Sequence, residues 1–524
     1  MTAVDSTPAT SLGPPRWATE PFVMGTSEQF ARLRAWFADV GYTEPDLFAK
    51  VKVNSIAHFK SLDHGRTELA TPTDAQSTLV LLFIDGVRLP WTTIRSVFSR
   101  GELELLNGLG LLQPAVVDSQ KCVAPLSLFP YEDLFIASDR LNGMETVGKG
   151  VPSDLVFSPL TRETRQFVRL MPRTPCDAYL EMCAGSGIAA VIAAKHFAKH
   201  AVAADITERS TRFARFNAAL NAIDNFAAVQ GDLYQPVAGQ TFDVISAHPP
   251  YVPAQETEMV FRDGGADGEQ ITRRIVAGLS DALRPGGLFY LDCVVTDRGG
   301  ERIEDRLRRM LGPDEDEFDV LVVRHGETTG KDFIASRLAD GRMSPEVSVR
   351  QRDYFANAGI ERLVGITALL QRRTSSRPVV TRQHASSGSV RAEDMLWLVK
   401  YHSTVVTWGS AEKERLLDSR IRSLPGTELH TTSVLQSDAW MQQSATIGTN
   451  APFAASAACP SWFPEMLKRC DGSRTVREHL EWLRASGLVD DSTSENDFAT
   501  LVRELADVPF LELEELPLPP VTTK

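Results

Sequence analysis

The sequence predicts an α/β fold, a doubly wound and mostly parallel sheet, with a winged-helix-like domain on each side. Two observations carry that reading. From about 151 to 300, short apolar runs (DAYLEMCA, HAVAADI, FAAVQGD, FDVISAHPP, GGLFYLDCVV) alternate with helical stretches, the pattern of βαβ units. On either side the period changes to clustered helical patterns with few strand-like runs between them.

Residues 1–20, rich in Pro, Ser, Thr and Ala, are expected to be a loose tail. Thr26 and Gln29 have the spacing of a capping box, so a helix should start there and end near Gly41. The stretch from Ser77 to Pro130 reads as a helix, a short helix over Trp91–Phe98, a helix over Gly101–Leu109 and a two-stranded wing. Its third helix, GELELLNGLGLL, carries two glutamates and offers no Arg or Lys to base edges. A packing or substrate-covering role fits it better than DNA reading. Runs at FDVLVVRHG and ERLVGITALLQRR extend the central domain to about Arg373, and the polar segment 373–389 reads as a linker. Four parts result: tail 1–20, N-terminal domain 21–150, central domain 151–373 and C-terminal extension 374–524. The last contains Phe463 to Val476 followed by REHLEWL, which resembles the helix–Cys-Asp-Gly–helix signature of small winged-helix modules, some of which bind leader peptides.

A length of 524 residues asks for several cores, and 43% hydrophobic with 23% charged residues is enough to build them. The formal net charge of −13 argues against a protein living on phosphate backbones. Six scattered cysteines form no CxxC pair, so neither a zinc site nor a disulfide framework is indicated. No signal-like start and no long apolar run is present, and a soluble, cytoplasmic protein is expected.

Four features fall in order at the carboxyl ends of successive predicted strands, where open α/β sheets bind ligands. The first is Glu181-Met-Cys-Ala-Gly-Ser-Gly187, a strand end turning on Gly185 and Gly187 into a helix. The second is Asp205, placed to take both ribose hydroxyls; the third is Asp232, placed to accept from the adenine amine. The fourth is His248-Pro-Pro-Tyr251. A dinucleotide site would want G-x-G-x-x-G with a pyrophosphate on the helix N-terminus. Glu181 would repel that pyrophosphate and suits an amino group, so S-adenosylmethionine accounts for all four features and NAD for two.

These motifs resemble those of class I S-adenosylmethionine-dependent methyltransferases. The nearest pattern is the branch with an Asn-Pro-Pro-Tyr motif, which includes release-factor glutamine methyltransferases and RNA-modifying relatives. Phe261-Arg-Asp-Gly-Gly265, Asp267-Gly268 and Arg284-Pro-Gly-Gly287 extend the likeness, and of Ser158 to Arg162 only Pro159 and Thr161 match. The resemblance implies a seven-stranded sheet with one antiparallel strand. It also implies a cofactor site built from Thr161, Glu181, Cys183, Gly185, Gly187, Asp205, Asp232, Leu233 and His248. In the family, the Asn oxygen and the first proline carbonyl hold the target NH₂ while the Tyr ring packs on it, so His248, Pro249 and Tyr251 are expected to position the acceptor.

His248 and Cys183 depart from the family pattern. A neutral imidazole offers one acceptor and one donor, and near its ordinary pKa of ~6.5 it also removes protons, which Asn cannot do. Two roles stay open: a base for an amine, hydroxyl or ring nitrogen, or a spacer that leaves the work to the Pro249 carbonyl. Cys183 stands where the family has a glycine, and a small buried thiol is tolerable there. His196 and His200, four apart on a helix, have metal-competent spacing without a completing carboxylate, and no metal is expected. Glu256 and Glu258 read as an exposed loop. Methyl transfer to a nitrogen or oxygen of a small molecule or peptide is the expected activity. The alternatives are action on ribosomal RNA or a protein glutamine, and a non-catalytic scaffold.

Overall fold

A computed structural model describes residues 21–51, 72–115, 118–140, 152–159, 161–254, 257–339, 343–407, 413–424, 426–450, 452–508 and 510–519. The tail expected over 1–20 lies outside the described residues, as does Glu256. The strands that build the α/β part run in chain order as β1 (Cys176–Met182), β2 (Ala198–Asp205), β3 (Phe226–Gln230), β4 (Phe242–Ala247), β5 (Leu283–Asp297), β6 (Phe318–Thr329), β7 (Arg362–Arg372), β8 (Thr381–Ser386), β9 (Glu428–Gln436), β10 (Ala439–Thr449) and β11 (Phe453–Ala458). The chain divides into two compact units. One holds Met1–Arg165, Cys183–Pro236 and Glu258–Phe261; the other holds Gln166–Met182, Val237–Thr257 and Arg262–Lys524.

In the first unit the capping box at Thr26 is formed: the Gln29 N–H reaches Thr26 Oγ1 at 3.2 Å and the Thr26 N–H reaches Gln29 Oε1 at 2.9 Å. The helix it starts, Ser27–Asp39, buries Phe30, Leu33, Trp36 and Phe37. Phe30 packs edge-on against Phe216 of the helix Glu208–Leu220 at 5.2 Å. Helices Trp91–Val97 and Arg100–Gly108 follow, then a three-stranded sheet with Asp118–Val123 between Leu89–Pro90 and Gln113–Ala115. A hairpin, Ser127–Tyr131 with Leu134–Ser138, is tied down by two asparagines from the helix Glu208–Leu220. Asn217 exchanges both amide bonds with Ala137, at 2.8 and 3.0 Å, and Asn221 does the same with Phe135 at 2.8 Å. Side-chain amides thus stand in for the missing neighbour of an edge strand. Strands β2 and β3 pair in parallel, Asp205 opposite Gln230. The helix Ile188–His196 buries every residue from Ile188 to Ala194, as its uninterrupted apolar sequence requires.

The second unit carries strands in the order β9-β10-β11-β8-β6-β7-β5-β4-β1. β1, β4 and β5 are parallel, with Met182 and Leu291 both opposite Ala247, so their carboxyl ends share one edge. β7 runs antiparallel to both β5 and β6, as the resemblance implied. β1 to β7 are all present, and β8 to β11 extend the sheet past the seven strands expected. The segment 373–389, expected as a linker, supplies β8, which pairs in parallel with β6. Its anchor is Asp319, which accepts the Val380 N–H at 2.9 Å and pairs with Arg377. The polar composition that suggested a loop is that of a half-buried strand held by an ion pair.

Further along the second unit, the helix Ala392–Val405 buries Met395, Leu398 and Tyr401. Arg420–Ser423 then pairs with both Asp471–Thr475 and Leu511–Leu513, and the helices Lys413–Asp418, Val476–Ala485 and Glu495–Asp507 pack about one another. Among the described residues no helix is long and apolar enough to cross a membrane.

Candidate active site

The glycine loop bends through three left-handed positions: Cys183 at φ 55°, Gly185 at 54° and Gly187 at 71°. A Cβ on Gly187 would sit 2.8 Å from the Cβ of Ala214, so glycine is required for the loop to lie against the helix Glu208–Leu220. A Cβ on Gly185 would meet nothing within 4 Å, so space lies open on that side of the main chain. The Gly185 N–H donates to Asp205 Oδ2 and the Thr207 N–H to Asp205 Oδ1, both at 2.9 Å. The carboxylate is thereby locked at the tip of β2 with further lone pairs available. The Gly231 N–H donates to the Asp205 carbonyl at 2.9 Å, which brings Asp232 and Leu233 up beside it. Leu233 is also left-handed, at φ 52°. Cys183 and Leu233, two non-glycine residues in a conformation that costs roughly 1–2 kcal/mol, thus fall where the cofactor was expected. Cys183, Gly185, Gly187, Asp205, Asp232 and Leu233 are gathered in the first unit. Thr161 belongs to it too, at the start of the helix Arg162–Leu170, with its Oγ1 3.2 Å from that of Thr164.

The second unit gathers Glu181, His248, Pro249 and Tyr251. Glu181 is 3% exposed, opposite Ser246 in the β1–β4 register, and Met182 stands opposite Ala247, one residue before His248. Burial, and then the charge of Glu181, push the Tyr179 phenol well above its ordinary range. The His248 ring stacks on Phe167 with centroids 5.4 Å apart and meets the Tyr251 ring edge-on at 5.9 Å. Its Nδ1 lies 2.6 Å from the Asp292 carbonyl oxygen and 3.9 Å from Asp292 Oδ1. Burial raises the Asp292 carboxyl above the usual carboxylate range; His248, and hydrogen bonds from Thr367 (2.7 Å) and Gln166 (3.1 Å), pull against it.

The proline loop is held by the segment after it. Val252 N–H donates to the Arg262 carbonyl and Gly264 N–H to the Val252 carbonyl, both at 2.9 Å. A Cβ on Gly264 would lie 2.7 Å from the Pro250 carbonyl oxygen, and one on Gly268 would lie 2.5 Å from that of Tyr251. These glycines exist so that backbone can press on backbone.

Asp292, Thr367, Gln166 and Phe167 were not picked out from sequence. Asp292 had a readable signal: a lone carboxylate inside the apolar strand run GGLFYLDCVV. Of the weaker candidates, Glu258 is exposed. His196 does meet carboxylates. Its Nε2 is 3.0 Å from Asp133, and Glu132 completes a group whose ligand atoms lie within 4.8 Å of one another. Both Asp133 and Glu132 come from a turn distant in sequence, which helix spacing alone does not reveal.

Comparison with known proteins decides what this arrangement belongs to. Residues 156–312 match the family model described as the methyltransferase small domain. That segment is similar to methyltransferase small domains. The resemblance to class I methyltransferases read from the motifs is borne out over that segment, and with it S-adenosylmethionine as the cofactor. The ribosomal protein uL3 glutamine methyltransferase of Bradyrhizobium diazoefficiens is 33% identical over 146 residues, 25% of this chain and 44% of that protein. The release factor glutamine methyltransferase of Thermodesulfovibrio yellowstonii is 30% identical over 162 residues, 28% of this chain and 57% of that protein. The chain thus spans about half the length of these relatives. A solved methyltransferase from Pyrococcus furiosus is 19% identical over 42% of this chain and 88% of that one, at a TM-score of 0.27. So low a score carries no weight here; the fold rests on strand order and register.

Features within each unit are compatible with that cofactor. In the first, Asp205 has an anchored carboxylate and Gly185 leaves room beside the main chain; in the second, Glu181 is a buried carboxylate.

Proposed function

We propose that this protein is an S-adenosylmethionine-dependent methyltransferase acting on a nitrogen of a peptide or protein segment. The single observation that carries the reading is the carboxylate of Asp205, anchored by Gly185 and Thr207 beside a glycine loop with open space. Gly185, Gly187, Asp205, Asp232 and Leu233 bind the cofactor, with Glu181, Cys183 and Thr161 around its methionine end. When bound, the cofactor supplies an electrophilic methyl group. His248, Pro249 and Tyr251 position the acceptor: the prolines fix φ in advance, so little ordering entropy is lost when a flat group docks.

Two relatives named as glutamine methyltransferases favour a protein or peptide acceptor. The net charge of −13 and the helix Arg100–Gly108, with its Glu102 and Glu104, count against RNA. The pieces Ala75–Val123 and Lys413–Leu513, helices packed with a small antiparallel sheet, support reading the flanks as winged-helix modules that present or cover the acceptor.

Calorimetric titration with S-adenosylmethionine tests the core of the reading. Saturable one-site binding is expected, and its absence favours the scaffold alternative. Labelled cofactor with release factors, ribosomal proteins and ribosomal RNA then sorts acceptors: label on protein supports the peptide reading, and label on RNA alone removes it.

A further inference from the structure

His248 is set in its surroundings by one residue acting through two different groups. A carbonyl oxygen only accepts, so the 2.6 Å contact with the Asp292 carbonyl requires the proton to be on Nδ1. In the neutral ring that leaves Nε2 as a bare lone pair. The Asp292 carboxylate, 3% exposed, stands 3.9 Å from the same Nδ1, close enough to stabilise positive charge on the ring in a dry setting. The carboxylate is itself held. Thr367 donates to its Oδ2 at 2.7 Å and Gln166 at 3.1 Å, and His325 Nε2 sits 2.6 Å from Thr367 Oγ1. This chain of contacts crosses the sheet from β4 through β5 and β7 to β6. Tyr251 on the proline loop, Arg169 on the helix Arg162–Leu170, and Tyr290 and Cys293 on β5 also bear on it. Phe167 stacks on the His248 ring at 5.4 Å, and Tyr290 stacks in turn on Phe167 at 5.4 Å.

We propose that Asp292 is a positioning residue that makes His248 a proton acceptor: its main-chain carbonyl fixes the Nδ1–H tautomer and its carboxylate is the counter-ion of the imidazolium. This rests on the methyltransferase reading, which gives the base its use. A nitrogen that gains a methyl group must lose one proton. That proton passes to Nε2 of His248, and the ring carries it as imidazolium, paired with Asp292, until it is released to water. An asparagine at 248 has no such capacity, so the His–Asp292 pair equips this chain for acceptors that need deprotonation as they react.

The test needs no acceptor molecule. Full-length protein with ¹⁵N-histidine is titrated by NMR, following the two ring nitrogens of His248. The expected result is a protonated Nδ1 and a bare Nε2 on the neutral side of the titration. Asp292→Asn keeps the carbonyl and removes the charge, so the tautomer should persist while the titration midpoint falls. An Nε2–H tautomer in the wild type, or an unmoved midpoint in folded Asp292→Asn, overturns the proposal. Should that variant fail to fold, the ¹³Cγ resonance of Asp292 in the wild type decides: a step at the His248 midpoint is expected, and a flat trace overturns it. S-adenosylmethionine binding by the same sample reports separately on the methyltransferase reading, so either can fail alone.

Discussion

The carboxylate of Asp205 accepts the main-chain N–H of Gly185 at 2.9 Å, although twenty positions separate them. Its other oxygen accepts from Thr207 at 2.9 Å. The carboxylate proposed to hold the cofactor's ribose is therefore fixed before any ligand arrives, which reduces the ordering that binding must impose. Asp205→Ala removes charge and anchor together. A loss of about 2 kcal/mol, or roughly thirtyfold in S-adenosylmethionine affinity, is expected by calorimetry.

Gly185 and Gly187 are both left-handed but differ in what surrounds them. Gly187→Ala strains the backbone and drives a methyl into Ala214, so about 2–3 kcal/mol of stability should be lost in a denaturant titration. Gly185→Ala has the strain without the clash; about 1 kcal/mol should go, while its methyl enters the open space and weakens cofactor binding more than it weakens the fold.

His248→Asn should leave cofactor affinity within about twofold, because the anchored carboxylate of Asp205 is untouched. The dependence of the methyl-transfer rate on pH should change, because an amide cannot take up the proton that an imidazole can. Stopped-time assays with labelled cofactor across pH 5 to 9, once an acceptor is in hand, read both effects. An unchanged profile with full activity would reduce the imidazole to a spacer.

Asn217 satisfies Ala137 with two bonds and donates a third to the Ser186 carbonyl at 2.9 Å, all fully buried. Asn217→Leu keeps the volume and orphans those groups. A loss of about 2–4 kcal/mol in thermal or chemical denaturation should follow.

His384 on β8 and His402 on the helix Ala392–Val405 meet Nε2 to Nε2 at 2.8 Å, so at least one carries the proton between them and they cannot both be charged comfortably. Burial, and then Arg382, lower His384 from 6.5 to about 4; burial, and then His384, lower His402 well below 6.5. The folded state therefore takes up fewer protons than the unfolded state as pH falls below 6.5. Stability is full above that value and declines toward pH 4, with His384 alone contributing a loss of about 3 kcal/mol. Denaturation midpoints at pH 7.5 and 5 check the sign, and His402→Phe should flatten the slope.

Much of this is readable in the sequence alone. The capping box at Thr26, the helices after Pro90 and Ser99, the alternation that gives β1 to β5 and the carboxylates at strand tips all depend on residues close in sequence. Local periodicity and capping chemistry specify them directly. The segment 373–389 was misleading because its polar residues serve an ion pair with Asp319 that no short window contains. The carboxylates that meet His196 come from Glu132 and Asp133 for the same reason.

By itself the sequence determined the α/β class, the cofactor motif and the identity of the residue that departs from it, since spacing along one chain is all those require. Which nitrogen of His248 holds its proton was decided only by tertiary structure. The register of β4 against β5 brings the Asp292 carbonyl to Nδ1, and hydrogen-bond direction depends on what stands within 3 Å, not on what stands next in the chain.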